Sequence, residues 1–169
     1  TVSNAIVISG TTAQLTAALV TSASKVIAAT ALITGTGTDM TVAELNALDD
    51  TTSGIITATL VTAATADYSS LTDDNGNNVL TITINDAAST SITAAALSTI
   101  GGKTDGVVTV TNAIVVTGTT AQLTAALVTA NTLVVAGTAT GTISDADDVS
   151  IAATALSAIG GKTSGAITV

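Results

Sequence analysis

Two short turns carry the side-chain oxygens from which this chain could build a binding site. Asp73, Asn75 and Asn77 alternate along the segment DDNGNN, so their carboxylate and amide oxygens can converge. Calcium ions prefer such oxygen ligands, and the segment is therefore a candidate calcium site. A hydrogen-bonded turn is the competing interpretation, because Asp, Asn and Gly are the common turn formers and the spacing departs from that of an EF-hand loop.

A second acidic cluster contains Asp145, Asp147 and Asp148. Asp145 and Asp147 form a second pair of candidate calcium ligands, with a solvated turn again as the alternative. Calcium is thus the one cofactor that the sequence suggests.

The segment GGKT, at 101–104 and at 160–163, resembles part of a phosphate-binding loop. That loop needs another glycine, separated from the Gly-Lys pair by four residues, and it lies at a helix N-terminus. Leu97 and Leu156 occupy that glycine position here, and the segment follows a helical pattern. We therefore expect left-handed glycine caps at two helix C-termini, with Lys103 and Lys162 near the negative helix ends.

The composition removes most catalytic chemistry. The chain has 169 residues with 12 acidic residues against three lysines, and it contains no His, Cys, Pro or Arg. The common proton shuttle and the thiol nucleophile are therefore missing, and 1% aromatic residues cannot line an apolar ligand pocket. We predict no enzymatic activity and no small-molecule substrate. The net charge of −9 disfavours nucleic acid, and the short apolar runs predict no membrane insertion.

Long internal repeats organise the chain. Residues 1–21 recur at 109–129 with 18 of 21 positions identical, and residues 91–110 recur at 150–169 with 14 of 20 identical. A diverged copy of the second repeat occupies residues 40–58. Identity of this kind is typical of repeat arrays.

Each repeat combines a short helical pattern with strand patterns. Leucines recur at intervals of 26 to 33 residues, at Leu15, Leu45, Leu71, Leu97, Leu123 and Leu156. Capping boxes that start at Thr11, Thr41 and Thr119 predict helix N-termini. Alternating β-branched residues predict strands over 25–30, 55–60, 79–84, 107–110 and 113–116.

The alternation of helices with strands predicts parallel strands joined by helical crossovers. We expect an α/β fold, a repetitive right-handed solenoid with about 26 residues per coil. Residues 1–169 are then a single solenoid segment within a longer array. A doubly wound sheet is the alternative, although it does not need its units to be near-copies.

Threonines alternate with apolar residues in the predicted strands. The threonines of three strands are predicted to share one outer face, namely Thr57, Thr59, Thr81, Thr83, Thr109 and Thr111. Such a face resembles the surface of an ice-binding solenoid, although threonine is also simply a good strand former that tolerates water.

The segments LSTIGGKTDGVVT (97–109), LNALDDTTSGIIT (45–57) and GTTAQLTAAL (118–127) carry a family resemblance. They are similar to the repeat arrays of giant secreted cell-surface proteins of marine cyanobacteria and related bacteria. The resemblance implies export by a signal-independent route, an extracellular location, calcium-linked folding, and a structural or adhesive role.

These observations predict a structural extracellular protein, secreted or at the cell surface, that forms part of a filament, fibre or surface layer. Because the sequence after Val110 resembles the sequence after Val2, the solenoid is expected to continue by end-to-end self-association. The alternative is an adhesin-type or ice-binding module that presents a Thr-rich face.

Overall fold

The structure is a computed structural model that describes residues 4–21, 23, 26–73, 76, 78–132 and 134–169. Short strands and helices alternate along these residues. The strands are β1 Val7–Gly10, β2 Leu32–Gly35, β3 Ile56–Thr59, β4 Val79–Ile84, β5 Ser91–Thr93, β6 Val108–Val110, β7 Val115–Gly118, β8 Val134–Val135, β9 Thr140–Ile143 and β10 Ile167–Thr168. The α-helices are α1 Thr12–Leu15, α2 Val42–Asp49, α3 Ala94–Gly101, α4 Thr120–Leu127 and α5 Ala153–Gly160, with a π-helical segment at Thr16–Val20 and a 3₁₀ helix at Thr65–Tyr68.

Three helices begin at the predicted capping boxes. The hydroxyls of Thr11, Thr41 and Thr119 each accept a hydrogen bond from the backbone N–H three residues later. The side chain of that later residue accepts a hydrogen bond from the threonine N–H at 2.9 Å. Two of the helix N-terminal donors are thus satisfied in each case, and the prediction is confirmed.

The strands belong to two sheets, with the strand orders β1-β2-β3-β4-β6-β8 and β10-β9-β7-β5. Pairing is parallel wherever the structure defines the register. The prediction of an α/β fold with parallel strands is therefore confirmed at this level.

The predicted outer and inner faces of the strands are also confirmed. Along β3 and β4 the threonines point outward, while the intervening apolar residues are buried. The apolar residues that alternate with the predicted outward threonines of β3, β4 and β6 are all buried, namely Ile56, Ala58, Leu80, Ile82, Val108 and Val110.

The predicted strand over Lys25–Thr30, whose first residue lies outside the described residues, is wrong. The described part of that segment is irregular and ends in a turn, where the N–H of Ala31 donates to the carbonyl of Ala28 at 3.0 Å. β2 begins at Leu32. The N–H of Leu32 donates to the carbonyl of Ile6, the residue before β1, at 2.9 Å, and this bond starts the parallel pairing. The position of β2 is therefore set by its parallel neighbour.

The Gly-Gly-Lys-Thr segments follow α3 and α5, as predicted, but the predicted left-handed caps are wrong. Gly102 and Gly161 adopt φ −72° and −71°, which is right-handed helical backbone. The glycine requirement at the end of α3 is steric instead. A Cβ at Gly101 would lie 2.1 Å from the carbonyl oxygen of Thr132.

Contacts divide the chain into two compact units, each with its own aliphatic core. The first contains Thr1–Val61, Ser70–Ile82 and Lys103–Gly106, and the second contains Thr62–Ser69, Thr83–Gly102 and Val107–Val169. Fully buried side chains in the first unit include Leu45, Ile56 and Leu80, and those in the second include Leu97, Val116 and Leu123.

Gly101→Ala tests the steric role of that glycine. Overpacking against Thr132 should lower the free energy of unfolding by about 1–3 kcal/mol, measured by denaturant titration. Gly160→Ala is the matched control, because its added Cβ meets nothing within 4 Å. The control should be neutral or stabilising by up to about 1 kcal/mol, and equal effects of the two variants would contradict the steric explanation.

Candidate functional site

The first candidate calcium segment contains a closed turn. The carboxylate of Asp73 accepts a hydrogen bond from the N–H of Gly76 at 3.0 Å, and Gly76 adopts φ 70°, where glycine is favoured. Asn75 and Asn77 lie outside the described residues. The Asp73 carboxylate therefore contributes to the turn that was the alternative interpretation, and calcium at this segment stays a prediction.

Asp145 caps a helix that is distant in sequence. Its carboxylate accepts hydrogen bonds from the hydroxyl of Thr120 at 2.5 Å and from the N–H of Thr120 at 2.8 Å, at the first residue of α4. The bond from the Thr120 hydroxyl and, to a smaller extent, the bond from the Thr120 N–H lower the pKa of Asp145 below its ordinary value. Asp86 makes the same pair of bonds to Thr65, at 2.5 and 2.7 Å, at the start of the 3₁₀ helix.

Asp147, the other candidate in that cluster, is exposed to solvent. Within the ranges that the structure describes, no group of three or more His, Cys, Asp or Glu side chains could hold a metal ion. The equivalence of Asp86 and Asp145 is visible in the sequence, because the second repeat extends to both. It could have identified them as a structural pair before the fold was known.

A Thr-x-Gly triplet stands before three strands and connects each to an earlier part of the chain. We call it the Thr-x-Gly clamp, and it occurs at 52–54, 104–106 and 163–165. The threonine hydroxyl donates to a backbone carbonyl 21 or 24 residues earlier. The glycine N–H in turn donates to that hydroxyl at 2.8–3.1 Å.

The third position of the clamp requires glycine for close packing. A Cβ on any of these glycines would lie 2.0–2.2 Å from the carbonyl oxygen that accepts from the threonine, which belongs to Ala31, Leu80 or Ala139. The middle residue adds a backbone hydrogen bond to the carbonyl two residues before that one, at 2.8–2.9 Å. The recurring triplet is visible in the sequence, but the carbonyl that it binds is not, so the clamp is not among the features that the sequence predicts.

Hydroxyl side chains form rows across adjacent strands. In the four-stranded sheet the register places Thr93 beside Thr117, Thr117 beside Thr142 and Thr142 beside Thr168. The last two hydroxyls lie 3.4 Å apart. In the first unit a shorter row joins Ser9, Thr34 and Thr57.

Two surface depressions lie in the second unit. One, of about 200 Å³, has a lining that includes Val107, Val134, Val135, Leu127 and Lys162. The other, of about 510 Å³, runs along α4 and includes Asp145 and Ala152. Each brings together one titratable side chain and mostly small or aliphatic ones, so neither assembles an acid–base pair from the described residues.

No protein-family model, no curated protein and no solved structure matches the chain. Among the described residues, no helix has the length and apolar character needed to cross a membrane.

Thr104→Val tests the clamp. The buried Thr104 hydroxyl accepts hydrogen bonds from the N–H groups of Leu80, at 2.7 Å, and Gly106, at 2.8 Å. A methyl group in its place should lower the free energy of unfolding by about 1–3 kcal/mol, because buried donors lose their acceptor. Thr109→Val, on the outer face of β6, is the control and should change stability by less than about 0.5 kcal/mol. Similar losses in both variants would contradict the assignment.

Proposed function

We propose that the chain is a structural, non-catalytic protein: a repetitive α/β solenoid that serves in a filament, fibre or surface layer outside the cell. The Thr-x-Gly clamp is the observation that carries the proposal. It joins a strand to an earlier segment in the same way at three places, so one generic contact is reused along the chain. A protein built from one recurring contact can be lengthened by adding further copies of the same repeat.

The sequence separation of the hydrogen bonds supports the solenoid. In the first unit they join Ile56 to Asn78 and Thr104 to Leu80, at separations of 22 and 24 residues. In the second unit they join Thr111 to Ile84 and Thr140 to Ile114, at separations of 27 and 26 residues. Nearly constant separations are expected when each coil stacks on the one before it.

The extracellular location and the structural role are supported by the sequence. The repeat units resemble arrays of giant secreted surface proteins, and the chain contains no cysteine that oxidation could damage. The absence of His, Cys and Arg from the sequence supports a role without catalysis.

Electron microscopy and light scattering of the purified chain test this function. We expect filaments whose length increases with protein concentration. Val7→Lys should shorten them, because Val7 is 65% exposed on β1, the outermost strand of its sheet, and an edge lysine prevents further strand pairing. Val79→Lys, at a 39% exposed residue of β4, an inner strand of the same sheet, is the control. A monomer at all concentrations would overturn the proposal.

An ice-binding module is the second candidate, favoured by the four-threonine row of β5, β7, β9 and β10. Adjacent strands in a sheet lie about 4.7–4.9 Å apart, so the row repeats hydroxyls and methyls at regular intervals. This candidate predicts thermal hysteresis that Thr117→Lys abolishes and that Thr99→Lys, on the exposed face of α3, leaves intact. Absence of hysteresis in the parent chain would remove the candidate.

A further inference from the structure

We infer that residues 144–169 bind residues 4–20 of a second copy, in the register in which residues 85–110 bind residues 112–128 within the chain. We call residues 144–169 the tail segment and residues 4–20 the head segment. The inference rests on the proposed function and specifies the contact through which the solenoid would continue between copies.

The tail and head segments are near-copies of two segments that already pack together. The tail segment matches residues 85–110 at an offset of 59, and the head segment matches residues 112–128 at an offset of 108. Their conformations match as well. Ser89 and Asp148, which are equivalent, have the unusual φ values of 66° and 64°, and β1 and β7 span equivalent residues.

The internal interface has defined strand contacts, all of them within the second unit. β5 pairs with β7 in parallel, with Ile92 beside Val116. Ahead of that pairing, the N–H of Ser89 donates to the carbonyl of Ala113 at 2.8 Å, and the N–H of Val115 donates to the carbonyl of Thr90 at 2.9 Å. The left-handed residue Ser89 thus directs its N–H at the following segment, and Asp148 has the same backbone conformation.

The internal interface also has helix contacts. α3 packs against α4, and the Cβ of Ala94, the first residue of α3, lies 3.3 Å from the position of a Cβ on Gly118 at the end of β7. Asn112 joins the loop before β7 to the loop before β5, because its side-chain amide donates to the carbonyl of Asp86 at 2.8 Å. Asn4 and Asp145 are the equivalent residues in the head and tail segments.

Equivalent residues are buried in the internal interface but uncovered in the head and tail segments. Ile114 is fully buried, whereas its equivalent in the head segment, Ile6, is 43% exposed. On the other side, Ala94 is fully buried, whereas its equivalent in the tail segment, Ala153, is exposed. The two uncovered faces are therefore the two halves of an interface that the chain already forms.

No charge on the head segment repels the acidic tail segment. Residues 4–20 contain no charged side chain, so Asp145, Asp147 and Asp148 of the tail segment meet no like charge there. A head-to-tail contact is heterologous, so each added copy presents a new tail segment and the assembly continues. By this correspondence Ala152 lies beside Ser9 of the second copy, because their equivalents Thr93 and Thr117 are paired.

Cysteine pairs test the register, and the chain offers a background without cysteine. The double variant Ser9→Cys with Ala152→Cys should give a ladder of disulfide-linked oligomers on mild oxidation. Ser9→Cys with Ser150→Cys is the off-register control. Two residues of displacement puts those Cα atoms about 8 Å apart, beyond disulfide reach, so its oligomer yield should be at least about tenfold lower. Thr93→Cys with Thr117→Cys should close within one chain and shows that the paired geometry permits the bond.

Ala153→Leu provides a second measurement that misfolding cannot explain. Its equivalent Ala94 is fully buried, with its Cβ 3.3 Å from the position of a Cβ on Gly118, and the equivalent of Gly118 in the head segment is Gly10. Ala153 is exposed in the single chain, so the larger side chain should leave stability unchanged and weaken association at least about tenfold, as expected for a clash of the usual size. Thr154→Leu is the control, because Thr154 and its equivalent Ala95 are both exposed.

The possible results separate this contact from the broader function. A ladder in the matched pair only, together with weaker association of Ala153→Leu, supports the inference. Filaments without that ladder, while the internal pair closes, would overturn the contact but leave the structural function standing, with another occupant on the tail segment. A crosslinked monomer, or equal ladders from both pairs, would also overturn it. A chain that neither crosslinks between copies nor assembles would overturn both proposals.

Discussion

The close approach of three strand starts to backbone 21 or 24 residues earlier is the contact on which the rest of this structure depends. In the Thr-x-Gly clamp a glycine Cα lies against a carbonyl so closely that a Cβ would overlap it, at 2.0–2.2 Å. Segments this close leave room for Ala, Val, Ile and Leu but little room for aromatic rings. Tyr68 is the one aromatic residue, and it is accommodated by donating its hydroxyl to the carbonyl of Thr83 at 2.9 Å.

The sequence predicts the local features of the fold well and the contacts between distant segments poorly. The helix starts at Thr11, Thr41 and Thr119 depend on residues three positions apart, so they can be read directly. The inward and outward faces of β3 and β4 follow from a two-residue period. The start of β2 depends on Ile6 in a neighbouring strand segment, which no local pattern reveals, and the strand was predicted too early. The steric role of Gly101, the last residue of α3, is hidden for the same reason, because its partner Thr132 is 31 residues away.

The second candidate calcium site also shows that local patterns can be read from the sequence while contacts between distant segments cannot. Oxygen atoms at alternate positions suggested metal ligands at Asp145 and Asp147, but spacing along the chain does not show what each carboxylate faces. Asp145 is held by Thr120, 25 residues earlier, and that bond gives its charge a role in capping α4. The same bonds at Asp86 and Thr65 indicate that the acid belongs to the repeat itself. The recurring bond therefore gives Asp145 a structural role, while calcium at Asp145 and Asp147 stays a prediction.

The placement of charge bears on the proposed assembly. Proteins that remain monomeric usually protect the edges of their sheets with lysine, proline or a covering segment. The strands β1 and β10 are outermost in their sheets, and VISG and IT carry neither charge nor proline. The charged side chains of the described residues lie in loops, turns and helices instead, as Asp73, Asp145 and Glu44 do. A net charge of −9 makes separate chains repel one another, but salt screens this repulsion over roughly 8–10 Å. In the proposed assembly, a long-range repulsion that salt weakens would therefore oppose short-range hydrogen bonds between uncharged strand edges.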